Sequence, residues 1–131
     1  MQPEALAEAR DWLLRADEDL AAAERVLQIP PPLLGTAAYH AQQGAEKALK
    51  AFLAAHNTAF RPTHNLEDLL SACISMDASF AQLAPAARTL TPYATRFRYP
   101  GGPLRPAPAE AEEALQMADD LVRFVRSRLG L

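Results

Sequence analysis

Apolar positions recur at helical spacing along most of this chain, and no run of alternating β-branched residues marks a strand. Leu6, Ala9, Leu13, Ala16, Leu20, Ala23 and Leu27 alternate steps of three and four, which predicts a first helix from about Pro3 to Leu27 with Trp12 flanking its seam. Pro3 suits the first helical position, Glu4 and Glu8 suit the positive end of the dipole, and Pro30-Pro31-Pro32 ends the run. A second helix is predicted from about Thr36 to His56, then a turn over Asn57–Pro62. Thr63 or Asn65 is placed to cap a third helix, which turns Leu66, Leu69, Leu70, Cys73 and Ile74 to one face.

The segment 75–84 has no clear period and reads as irregular or singly turned. A fourth helix starts near Pro85 and stops before Pro100, with Thr91-Pro92 positioned to kink or split it. The proline-rich stretch 100–108 is a loop. Ala111, Ala114, Leu115, Ala118, Leu121, Val122, Val125 and Leu129 then give a 3.6-residue stripe for a last helix, Ala109–Leu129, with Gly130 as its C-cap. The expected fold is all-α: a single domain over residues 1–131, built as an up-and-down four/five-helix bundle with four long helices and one shorter one.

The second helix is the unusual one. Its apolar side is mostly alanine (Ala38, Ala41, Ala45, Ala48) with Leu49, Phe52 and Leu53, so a neighbouring helix can come close. Its other side carries Tyr39, His40, Gln43, Glu46, Lys47 and Lys50. Lys47 and Lys50 are the only lysines in the chain, against eleven arginines, and the two residue types are different kinds of donor. Spacing alone fits both an ordinary wet face, with Glu46 and Lys50 as an i,i+4 pair, and a ligand-binding face.

Charge changes this picture. The net charge of −3 hides a segregation: residues 1–24 carry seven acids and two arginines, and residues 110–131 five acids and three arginines. Residues 25–109 hold eight bases, four acids and all three histidines, with no acid between Asp77 and Glu110. That distribution suits a cationic site for a phosphate-bearing ligand or acidic partner, and it equally suits antiparallel helices neutralising one another. A lone Cys73 in an apolar helix rules out a disulfide framework or thiolate metal site, and reads as a small core filler. No stretch is long and apolar enough to span a bilayer, and Met1-Gln2-Pro3-Glu4 does not resemble a secretory leader, so a cytoplasmic protein is expected.

Enzyme signatures are scarce. There is no glycine-rich phosphate loop and no pair of histidines four apart on one helix; the spacing of His40, His56 and His64 fits no standard metal set, and no metal or cofactor is expected. Tyr93…Arg96-Phe97-Arg98-Tyr99 interleaves arginines with aromatics, a pattern that holds phosphate in a guanidinium fork while rings stack on bases. At a helix end some of those rings belong to the core. Phe97 is expected inside, with Arg98 and Tyr99 at a ligand or a structural junction.

Three pieces in order give a specific resemblance: Tyr39-His40-Ala41-Gln42-Gln43-Gly44-Ala45-Glu46-Lys47-Ala48-Leu49-Lys50-Ala51, then His64-Asn65-Leu66 opening a helix, then Arg98-Tyr99-Pro100 before a loop and a last helix rich in alanine and glutamate. The chain resembles the HEPN (higher eukaryotes and prokaryotes nucleotide-binding) family, in its stand-alone prokaryotic form. The resemblance implies a helical bundle, usually dimeric, often paired with a minimal nucleotidyltransferase as a two-component or toxin–antitoxin system. Other relatives are metal-independent endoribonucleases that use an arginine followed, four to six residues later, by a histidine. That motif is missing: Arg88, Arg96, Arg98 and Arg105 have no histidine after them, and Arg61 lies too close to His64.

The expectation is therefore a non-catalytic, homodimeric HEPN protein that binds a nucleotide, an RNA or a nucleotidyltransferase partner. Lys47, Lys50, Arg96 and Arg98 converge on phosphate or acidic side chains in this reading, and Gln43, His64 and Tyr99 add hydrogen bonds. Two alternatives stand beside it: a ribonuclease with a displaced His64/Arg98 pair, since 2′-hydroxyl chemistry needs an acid–base group beside a cation, and a purely structural interaction partner.

Overall fold

The computed structural model describes all 131 residues. Five α-helices and two 3-10 turns account for its regular structure: α1 (Pro3–Gln28), α2 (Leu34–Ala55), α3 (Leu66–Met76), α4 (Ala84–Leu90) and α5 (Pro108–Leu129), with 3-10 segments at Ala78–Leu83 and Thr91–Ala94. The bundle is all-helical, and no helix is long and apolar enough to cross a membrane. Three helices are long, at 26, 22 and 22 residues; the fourth position in the bundle is a broken run of shorter pieces rather than a fourth long helix. Pro92 has no N–H to continue the α4 ladder, so the chain tightens into a 3-10 turn there.

Helix α2 lies at the centre. Sixteen of its 22 residues are buried, so its neighbours cover it on most of its circumference. Alanine and Gly44 set the separation from α1: a Cβ built on Gly44 would fall 2.8 Å from Leu20 Cδ2 and 3.4 Å from the Ala16 carbonyl oxygen. The core then fills with Leu13, Leu49, Leu53, Leu66, Leu90 and Leu121, all essentially inaccessible.

The buried stripe of α1 departs from the expected seam. Ala9, Leu13, Ala16 and Ala23 are buried as the spacing suggests, but Leu6, Leu20 and Leu27 are only half-buried, and Ala5 and Asp19, outside the expected seam, are buried instead. The stripe is rotated towards Asp19 because that carboxylate has cationic partners on α2 waiting for it.

Capping fixes the shorter pieces. Asn65 Oδ1 accepts hydrogen bonds from the Glu67 and Asp68 amides, and Thr63 Oγ1 accepts the Asn65 amide, so of the two candidate caps Asn65 holds the helix and Thr63 holds Asn65. Asn65→Ala is expected to destabilise the fold by about 1 kcal/mol, measured as a shift in the urea midpoint at constant slope. Asp77 starts the next turn: Oδ1 accepts from the Ser79 amide and hydroxyl, and Oδ2 from Arg128 on α5. The Ser79 hydroxyl, with further help from Arg128, holds the Asp77 carboxyl below its usual range.

This turn, which the sequence marks only as irregular, delivers a large core residue. Phe80 is fully buried between Phe52 (ring centroids 4.3 Å apart) and Phe124 (5.0 Å). Thr91 ties α4 to α3, its hydroxyl donating to the Ala87 carbonyl and accepting the Leu66 amide. At the far end of the chain, Glu110 reaches back to accept the Ala107 amide, and Gly130 closes α5 in the left-handed conformation at φ 70°.

Candidate functional site

The polar face of α2 is not a solvated face. Glu46 is 3% exposed, Gln43 9%, and Gln42 is completely buried. Burying a carboxylate demands compensation, and Glu46 is surrounded by donors. Its Oε2 accepts from Lys50 Nζ at 2.8 Å and its Oε1 from His64 Nδ1 at 2.8 Å. The Gln42 and Gln43 amides approach the same Oε1 at 3.4 Å, and Gln42 also donates to the His64 carbonyl at 2.8 Å, which pins the segment before α3 onto α2. Lys50 is capped on its other side by two rings, its ammonium 5.6 Å from the Trp12 centroid and 5.7 Å from that of Phe60. A cation between a buried acid and two aromatic faces is held by charge, hydrogen bonding and the ring quadrupoles together.

A second arrangement of the same kind lies one turn away. Asp19, buried on α1, pairs with Lys47 through Oδ2 and with His40 Nδ1 through Oδ1 at 2.8 Å. Each of the two lysines in the chain thus shares a buried carboxylate with a histidine. A carboxylate only accepts, so Nδ1 carries the hydrogen in both imidazoles, which fixes the neutral tautomer and leaves Nε2 as the free ring nitrogen.

Arg98 completes the row at the N-terminal end of α2. Its guanidinium lies 4.2 Å from the Tyr39 ring centroid and 5.6 Å from that of Tyr99, and Nη1 donates to the Ala94 carbonyl. Arg98 forms no ion pair, and the Tyr39 ring meets His40 edge-on at 5.3 Å. Arg98, Tyr39, His40, Asp19 and Lys47 therefore form one continuous strip, with Glu46, His64 and Lys50 beyond.

The expected residues are distributed along this strip, not gathered at one point. Eight residues of helix separate Tyr39 from Lys47, about 12 Å along the axis. Lys47 and Lys50 are neutralised by buried acids, so the single seat of four free cations gives way to a graded row. Arg96 turns aside, its guanidinium 5.4 Å from the Phe97 ring. Phe97 is half-buried against Tyr93, and Tyr99 is 60% exposed. Gln43 faces inward and supports Glu46. His64 and Arg98 do not meet within one chain: the first is held at Glu46 and the second at Tyr39, seven residues of helix or about 10 Å apart.

Sequence reasoning placed Tyr39 and His40 on the polar side of α2 without giving them a role, and missed Asp19, Gln42, Trp12 and Phe60 as parts of this arrangement. One signal was available: Asp19 sits between Ala16 and Ala23 at seam spacing, where an acid needs a partner. No group of three or more His, Cys, Asp or Glu side chains is arranged to hold a metal ion. A groove of about 500 Å3 between α1 and α5, lined by Asp17, Glu24, Asp119 and Arg123 among others, contains none of the strip's residues.

Cys73 lies apart from the strip. It is fully buried, its Sγ 3.8 Å from the Leu49 carbonyl oxygen, and burial pushes the thiol up to about 12. At pH 8 the native protein is expected to resist a thiol-reactive chromophore and to react only as fast as it unfolds. Immediate stoichiometric labelling would contradict that burial.

The fold and the site together define an all-helical bundle whose central helix carries a strip of acid-shared lysines and histidines, ending in an arginine between two tyrosines. The chain belongs to the HEPN family, whose HEPN domain profile matches residues 9–128. It is similar to the crystal structure of TT1696 from Thermus thermophilus, with a TM-score of 0.78 and 35% sequence identity over 92% of this chain and 97% of that one. No curated protein matches the chain.

Proposed function

We propose that this protein is a non-catalytic HEPN protein that binds a phosphate-bearing ligand, a nucleotide or a nucleic acid strand, along the exposed edge of α2. The observation that carries the reading is Arg98: an exposed guanidinium without a carboxylate partner, beside two tyrosine faces, in a segment with no acid from residue 78 to residue 109. That combination offers phosphate a forked donor and a base a stacking surface. Lys47 and His64 extend this edge, Lys50 stands behind them paired with Glu46, Arg96 and Tyr99 flank it, and Gln43 holds the buried network behind. In this reading the working unit is a cytoplasmic homodimer and its protein partner is a minimal nucleotidyltransferase, of the two-component or toxin–antitoxin type.

Titration calorimetry with nucleotides and a short single-stranded RNA tests the proposal. Arg98→Ala is expected to weaken binding about tenfold or more, the worth of one charge-assisted hydrogen bond. Failure of the unaltered protein to bind any of these ligands would overturn it, and would favour a purely structural role. Light scattering tests the homodimer.

The Glu46–His64 pair favours a second reading, a metal-independent ribonuclease. A histidine oriented by a buried carboxylate with Nε2 free is built like a general base, although Arg98 would have to come from a second subunit. RNA cleavage in EDTA, lost in His64→Ala, would establish that activity; intact RNA excludes it.

A further inference from the structure

The strip contains two titratable groups whose position makes binding depend on protons. We infer that His40 and His64 gate anion binding on this face, so that protonating their rings raises the affinity for a phosphodiester strand. The inference rests on the phosphate-binding reading and adds a regulation to the same site.

Geometry fixes which atom responds. In both imidazoles Nδ1 donates to a buried carboxylate, Asp19 or Glu46, at 2.8 Å. The remaining nitrogen, Nε2, carries a lone pair in the neutral ring and a hydrogen in the charged ring. An anion laid along α2 therefore meets a repelling acceptor in one state and a donor in the other. His64 is well placed for this, its side chain 62% exposed, and His40 is 30% exposed.

The charge balance of the strip makes the change large. Arg98, Lys47 and Lys50 set against Asp19 and Glu46 leave a formal +1, and two imidazolium charges raise it to +3. The groups facing each histidine come from several elements. Around His40 stand Asp19 from α1, Lys47 and Tyr39 from α2, and Arg98 beyond the Tyr39 ring. Around His64 stand Glu46, Lys50 and Gln42 from α2; along the chain Arg61 precedes it in the loop, and Glu67 and Asp68 follow it in the first turn of α3, where their amides are capped by Asn65. Because each carboxylate already serves a lysine, an added proton leaves a cation in excess at each site, and that excess is what a phosphate can use. Neither lysine has a second acid as an ion-pair partner.

The experiment uses the full chain and a tetramethylrhodamine-labelled oligothymidylate, whose phosphodiesters, bases and dye keep their charge across the range. Anisotropy titrations at pH 5.5 and pH 8.5, each over a series of salt concentrations, give affinity and its salt slope. The expected gain at low pH is about tenfold for one new charge-assisted hydrogen bond and about a hundredfold for two. The salt slope steepens by about 0.7 for each phosphate newly neutralised. His40→Asn/His64→Asn keeps an amide donor near each carboxylate but cannot be protonated, and is expected to bind equally at both pH values with one unchanged slope. Circular dichroism at both pH values checks its fold, and if it does not fold the slopes of the unaltered protein decide the matter. Equal affinity and slope at both pH values in the unaltered protein, or a folded double variant that keeps the difference, would overturn the gating and leave phosphate binding standing. No binding at either pH would overturn both.

Discussion

Glu46→Ala is expected to lower the stability of the fold by about 3–5 kcal/mol, the usual cost of removing one partner from a buried ion pair. Glu46 is 3% exposed, and its removal strands Lys50, whose side chain is only 11% exposed, while the Gln42 and Gln43 amides keep their shorter bonds to the His64 carbonyl and to Gln42 Oε1. Urea unfolding followed by far-ultraviolet circular dichroism measures the loss. Glu46→Ala/Lys50→Met should recover a substantial part of it, since the stranded ammonium goes while its aliphatic stem between Trp12 and Phe60 is kept. A loss below about 1 kcal/mol for the single variant would place the pair with ordinary surface ion pairs, and the description of a buried ionic network would fail.

Phe80→Ala should cost a similar amount, about 3–5 kcal/mol, for a different reason. Phe80 is completely buried, and its ring fills the space between Phe52 on α2 and Phe124 on α5. The 3-10 turn that carries it is capped by Asp77, itself tied to Arg128, so the turn is anchored and cannot collapse far into the void. Phe80→Leu keeps most of the volume and should lose about 1–2 kcal/mol. Calorimetry with the ligand that the unaltered protein binds should show little change for either variant at temperatures where they are folded, because Phe80 touches nothing on the strip. A Phe80→Ala protein as stable as the parent would mean that the turn 78–83 is not part of the core.

How far such features can be read in advance depends on how local their causes are. The α1 and α5 boundaries follow from proline, glycine and a sustained helical period, all written in consecutive residues, and they fall within one residue of expectation. The segment 75–84 shows no period because a 3-10 turn of six residues buries only Phe80 and Leu83, too few positions to make a stripe. The α2 polar face is open to two readings in the sequence, and the decisive facts are distant. Gln43 and Glu46 are buried because other parts of the chain cover them, and Asp19 reaches Lys47 across 28 residues of sequence. Spacing within one helix reveals that Glu46 and Lys50 can pair; it cannot reveal that the pair is covered. The resemblance in the segments 39–51, 64–66 and 98–100 points to the family, and the profile match over residues 9–128 shows it. The same segments do not reveal that the arginine and the lysines lie apart along one strip.

The alanine surfaces of α1 and α2 are smooth. Sliding one helix past the other by a turn, about 5.4 Å, would set methyl against methyl again, so the alanines by themselves leave the alignment of the two rods nearly degenerate. Two detents remove the degeneracy: Leu20 drops into the notch that Gly44 leaves, and Asp19 latches onto Lys47 and His40. Fill the notch and neutralise the latch together, and the two rods should still associate, but in several alignments at once.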